Sequence, residues 1–157
     1  MSGASLRGSM LFIAGCWVVQ GLLVQLVPWS WAVPDVTLAA FVVAVGRAPH
    51  HWVLLASLAG LLTTVWTIRV PTHVLLSYLI FGGSIRALAH RWDVTDERVQ
   101  GVLASLGSVA MLIATLGRDE RWSLSLVGVM GLQAVMTGLA VPVARWLRGC
   151  VFRMHDP

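Results

Sequence analysis

The sequence has no lysine, one tyrosine and two cysteines, and charged residues fill only 11% of its 157 positions. Each shortage excludes something. A soluble domain of this length carries roughly a quarter of its residues as charged side chains, so a share of 11% cannot cover a water-facing surface. Cys16 lies in the first apolar stretch and Cys150 in the tail, which fits neither a disulfide framework nor a metal motif. All eleven basic residues are arginine, placed in ones and threes between apolar stretches. That scatter is the pattern of topology determinants rather than of a nucleic-acid or lipid-binding patch. Nothing physical in the sequence explains why arginine is used alone.

What is present is hydrophobic: 57% of residues are apolar and the mean hydropathy is +0.80. Six apolar segments, at about 10–27, 32–45, 51–68, 72–89, 99–116 and 122–147, predict an all-α polytopic membrane protein in one domain over 1–157. Period-2 alternation of the membrane-barrel kind is absent. The first segment follows a lone Arg7 and has no small-residue cleavage site, so it is read as a retained helix rather than a signal peptide. The second is too short to cross a hydrocarbon core of roughly 30 Å on its own. Pro34 is expected in its first turn, with Asp35 beside the positive helix end. Either this helix starts within the membrane, sheltered by its neighbours, or the stretch 29–31 extends it. Pro142 predicts a kink in the sixth helix, and Asp93 or Thr95 is expected to cap the fifth.

Orientation follows from the arginines. With the N-terminus inside, the inner regions hold Arg7, Arg47, Arg86, Arg91, Arg98, Arg145, Arg148 and Arg153, and the outer loops hold Arg69, Arg118 and Arg121. The balance favours both termini on the cytoplasmic side of the membrane. Tryptophan supports the same segmentation. Trp29, Trp31, Trp66 and Trp122 fall at outer segment ends and Trp52, Trp92 and Trp146 at inner ends, as an interfacial belt requires; Trp17 alone is mid-span. Small residues four apart, Ala56/Gly60, Ala110/Ala114 and Ala134/Gly138, are expected to serve helix packing, and Gly82 and Gly83 packing or a bend.

Chemistry is sparse. Polar residues within the segments are Gln20, Gln25, Thr63, Thr64, Ser77, Tyr78 and Gln133, and no nucleophile–base set is visible among them. Adjacent His50 and His51 diverge on a helix and chelate poorly. No catalytic residue, metal site or cofactor is expected. Asp35 is the one acid near a span, and an ionisable group there is a functional candidate by default. Arg69, in the turn between segments three and four, and His73, after it, are the other candidates for partner contact or for anchoring helix two.

From Pro34-Asp35-Val36 onward the order of residues becomes specific. A short Pro-Asp-led helix is followed by Ala59-Gly60-Leu61-Leu62, a tight turn, and Val70-Pro71-Thr72-His73-Val74-Leu75-Leu76-Ser77-Tyr78-Leu79. Over about 34–88 this resembles the rod shape-determining protein MreD family. It departs from the family pattern at Thr64, where an aspartate is usual, and at Pro71, where a glycine is usual. The resemblance implies a non-enzymatic scaffold of the peptidoglycan-synthesising elongation complex. Its partners would be membrane lipid, an MreC-like protein, the actin-like MreB and the cell-wall polymerase. The family's fold also looks like the substrate-binding subunits of energy-coupling-factor vitamin transporters. That supplies the alternative reading.

Overall fold

Where water is absent, backbone N–H and C=O groups must be satisfied inside a helix or a closed barrel. The chain takes the first solution. A computed structural model describes residues 3–28, 33–65, 71–116 and 124–153, and these are helical with short turns and contain no strand. The helices are α1 (Gly3–Leu26), α2 (Val36–Arg47), α3 (Trp52–Thr64), α4 (Pro71–Leu88), α5 (Glu97–Leu116) and α6 (Leu124–Arg153), with a 3₁₀ turn at Pro49–His51. Among the described residues, three stretches are long and apolar enough to cross a membrane: Leu6–Leu26, Glu97–Ala114 and Ser125–Cys150. A fourth is counted if α2 and α3, bent by 118° at their junction, make one span. Thr72–Leu88 is apolar but shorter. Leu11, Leu22, Leu106 and Leu139 lie among many large apolar side chains more than half exposed, an exterior suited to lipid.

The bundle is organised around α2. Its twelve residues rise only about 18 Å, yet every side chain over 36–46 is buried. It packs against all five other helices, while α3 pairs with α4 and α5 with α6. This explains its composition: a helix apolar on all faces is one surrounded on all faces. Phe41 is fully buried at its centre. The ring meets Tyr78 of α4 edge-on, with centroids 5.3 Å apart, and Phe81 at 6.3 Å. Gly82 gives this ring room, since a Cβ there would stand 3.1 Å from the Phe41 Cζ.

Several local expectations are corrected. α2 begins at Val36, so Pro34 precedes the cap and does not occupy the first helical turn; Asp35 is the N-cap. A carboxylate that can accept from the third helical N–H defines the start more strongly than the fixed φ of proline. Helix α5 is capped by Asp96, whose Oδ1 accepts the Arg98 N–H at 2.7 Å. Asp93 instead closes a turn with the N–H of Thr95 at 2.9 Å. The hydroxyl and N–H of Thr95 hold that exposed carboxyl below the usual carboxylate range. Helix α6 continues through Pro142. Trp52 is half-buried, its ring lying 3.2 Å from a Cβ placed at Gly82 and 3.5 Å from one at Gly83. Trp92 and Trp146 are well exposed. Ala56, Gly60 and Ala134 are buried in the bundle, whereas Ala110 and Ala114 face outward.

Candidate functional site

A helix that starts inside a bundle leaves its first N–H groups needing partners. At α2 these are supplied from three directions. The Leu38 N–H donates to Asp35 Oδ1 at 2.8 Å. The Thr37 N–H donates to Gln20 Oε1 of α1 at 2.8 Å, and the Gln20 amide also bonds the Asp35 carboxyl. The Asp35 N–H donates to Thr137 Oγ1 of α6 at 3.0 Å, and that hydroxyl donates to Gln133 O at 2.8 Å. Asp35 thus caps α2 and ties its start to α6.

Beside this anchor is a cavity of about 190 Å³. Its polar wall is Gln20, Asp35, Thr37, Thr63, Ser108 and Gln133; Trp17, Tyr78 and Met111 add ring and thioether surface. Thr63 Oγ1 lies 3.2 Å from the Tyr78 hydroxyl and donates to Ala59 O at 2.8 Å. Thr37 is 1% exposed, and its hydroxyl has no hydrogen-bond partner. The wall offers hydrogen bonds and one carboxylate, and the described lining pairs no nucleophile with a base.

Four of the polar residues of the apolar segments come together. Gln20, Thr63, Tyr78 and Gln133 share this cavity. The others stay local: Thr64 Oγ1 bonds Leu61 O, Ser77 Oγ bonds His73 O, and Gln25 is exposed. Thr37, Ser108 and Thr137 were not candidates in the sequence, where a hydroxyl in an apolar run carries no sign of what it faces. His73 is exposed in the first turn of α4. Arg69, Trp29, Trp31, Trp66 and Trp122 lie outside the described residues. No group of three His, Cys, Asp or Glu side chains suited to a metal is found among the described residues. Cys16 is buried as a free thiol and Cys150 is free and half-buried.

Loss of the anchor has a defined size. Asp35→Ala is expected to destabilise the bundle by about 1 kcal/mol through the lost N-cap, and Asp35→Asn by a few tenths, because asparagine caps as well as aspartate. Unfolding in mixed dodecyl sulfate micelles, followed by circular dichroism, measures both. Compared with known proteins, the chain matches no family model, no curated protein and no solved structure.

Proposed function

We propose that the chain is a non-enzymatic, MreD-like subunit of the bacterial inner membrane that helps to hold the cell-elongation peptidoglycan machinery together. In this reading it crosses the membrane six times, with both termini cytoplasmic, and contacts lipid and an MreC-like partner. The observation that carries it is where the family-like residues meet. Asp35 heads the central helix. Gly60 of the Ala-Gly-Leu-Leu stretch is pressed on α4, where an added Cβ would lie 3.0 Å from Leu75 Cδ1 and 3.1 Å from its Cα. Tyr78, from the stretch after the turn, meets Phe41 of that same central helix. Three short stretches separated in sequence thus form one packing unit, as expected of a shared fold.

A polar cavity favours a second reading, the substrate-binding subunit of a vitamin transporter. Its size argues against that reading. At about 190 Å³ it falls below the roughly 300 Å³ at which small-molecule pockets begin. The scaffold reading is therefore preferred.

Depletion of the protein in a rod-shaped host is expected to widen or round the cells, and unchanged morphology would count directly against the proposal. Co-purification with the MreC-like partner supplies the biochemical arm. Asp35→Asn should retain the partner, because the cap is kept. Asp35→Ala should recover less of it, because the end of α2 loosens. Retention of a vitamin by the purified protein would favour the second reading instead.

A further inference from the structure

Arginines far apart in the sequence meet at the other end of α2. Helices α2 and α6 run side by side in the same direction, joined by Asp35–Thr137 at one end and by Arg148–Val43 at the other, where Arg148 Nη1 donates to the carbonyl at 3.4 Å. This register brings Arg47, the last residue of α2, to Arg145 and Arg148 of α6. The three arginines, with Val43 and Gly149, line a cavity of about 210 Å³. Arg145 and Arg148 are three apart, so they share a helix face.

One cation beside the C-terminus of a buried helix is ordinary, because that end carries about half a negative charge. Three around one cavity go beyond it. Arg145 has Glu97 at 3.8 Å across a partly exposed gap, an arrangement that contributes little in high dielectric. Arg47 and Arg148 repel one another. Two of the three are also held in position. Arg145 Nη1 donates to Thr95 O at 3.2 Å, and Arg148 is 7% exposed. Little side-chain freedom is left to lose when an anion arrives.

We propose that Arg47, Arg145 and Arg148 form a binding site for a phosphate group, carried by an anionic lipid headgroup or free in solution. A guanidinium presents planar, parallel N–H donors that match phosphate oxygens, and basic pockets between membrane helices suit lipid phosphates. The volume corresponds to about seven water molecules at ~30 Å³ each. That is room for a phosphate with some of its water. The proposal is independent of the scaffold reading, since the site needs only the described packing of α2 on α6.

The test titrates the purified full-length protein in a neutral detergent with dihexanoyl phosphatidylglycerol, dihexanoyl glycerol and inorganic phosphate, read by native mass spectrometry. Saturable uptake of the phosphatidylglycerol with none of the glycerol lipid is expected if the source is lipid. Uptake of inorganic phosphate that competes with it assigns the site to phosphate from either source. Arg47→Gln and Arg145→Gln should each weaken binding about tenfold, and Arg86→Gln, exposed on α4, should leave it unchanged. Arg47 is exposed, so its variant tests the site even if Arg148→Gln fails to fold. Absence of saturable binding by either phosphate compound overturns the proposal. So does wild-type affinity in both Arg47→Gln and Arg145→Gln, or an equal loss in Arg86→Gln, which would show diffuse charge rather than a site.

Discussion

Phe41→Ala is expected to remove about 3 kcal/mol of stability, measured as a shift in the dodecyl sulfate midpoint of unfolding. Burial of a phenyl ring in a soluble core is worth about 3–5 kcal/mol against alanine. In lipid the transfer component fades and packing remains, which places the value at the lower end. The ring is fully buried and holds α2 to α4 through Tyr78, Phe81 and Gly82. Bundle packing cannot close over its loss without moving α2, and α2 is held by five neighbours. Leu132→Ala, at a side chain 44% exposed, should change stability by well under 1 kcal/mol. A small effect at both positions would mean that α2 is not the packed axis of the molecule.

The second large effect concerns a residue with no side chain. A Cβ at Gly46 would stand 2.6 Å from the carbonyl oxygen of Val94 and 2.8 Å from Gln100 Nε2. Gln100 is flexible in principle, but its amide already donates to that same carbonyl at 2.9 Å, and Val94 is buried in the turn before α5. Two opposing contributions decide the outcome. Alanine gains up to about 1 kcal/mol over glycine as a helix former, while forcing an extra carbon into a packed site costs about 1–3 kcal/mol. Gly46→Ala is therefore expected to destabilise, by about 1–2 kcal/mol net. Gly131→Ala, where a Cβ meets nothing within 4 Å, should be neutral or stabilising by less than about 1 kcal/mol. Opposite signs in the same unfolding assay check the geometry; a neutral Gly46→Ala would show that the Val94 turn yields.

The helical class and the position of each helix were legible in the sequence, because continuous apolarity between arginines needs no knowledge of neighbours. The oddity of the second segment was also visible: too short, with an acid at its start. That it is the centre of the bundle was partly visible, in the expectation that neighbours shelter it. Its start was placed too early because Pro34 and Asp35 both suit a helix start, and only the hydrogen bond to Leu38 decides between them. The polar cavity and the arginine cluster were not legible. Gln20 and Gln133 lie 113 residues apart in sequence, and Arg47 and Arg148 lie 101 apart. Apolar stretches carry little record of which faces will meet, so convergence appears only when the packing is known. Asp35 was the exception, since a lone acid near a span is conspicuous without any partner.

The burial of α2 has a consequence for how the protein is made. Its amino end is closed by Thr137, 102 residues after Asp35, and its carboxyl end by Arg148, 105 residues after Val43. At about 5–20 residues per second, each end waits roughly 5 to 20 s for its partner to leave the ribosome. Through that interval α2 must be held by the insertion machinery, by α1, and by α3, α4 and α5 as they emerge. Packing of α6 then completes the enclosure of α2, and chains stopped before it would offer membrane proteases an incomplete core.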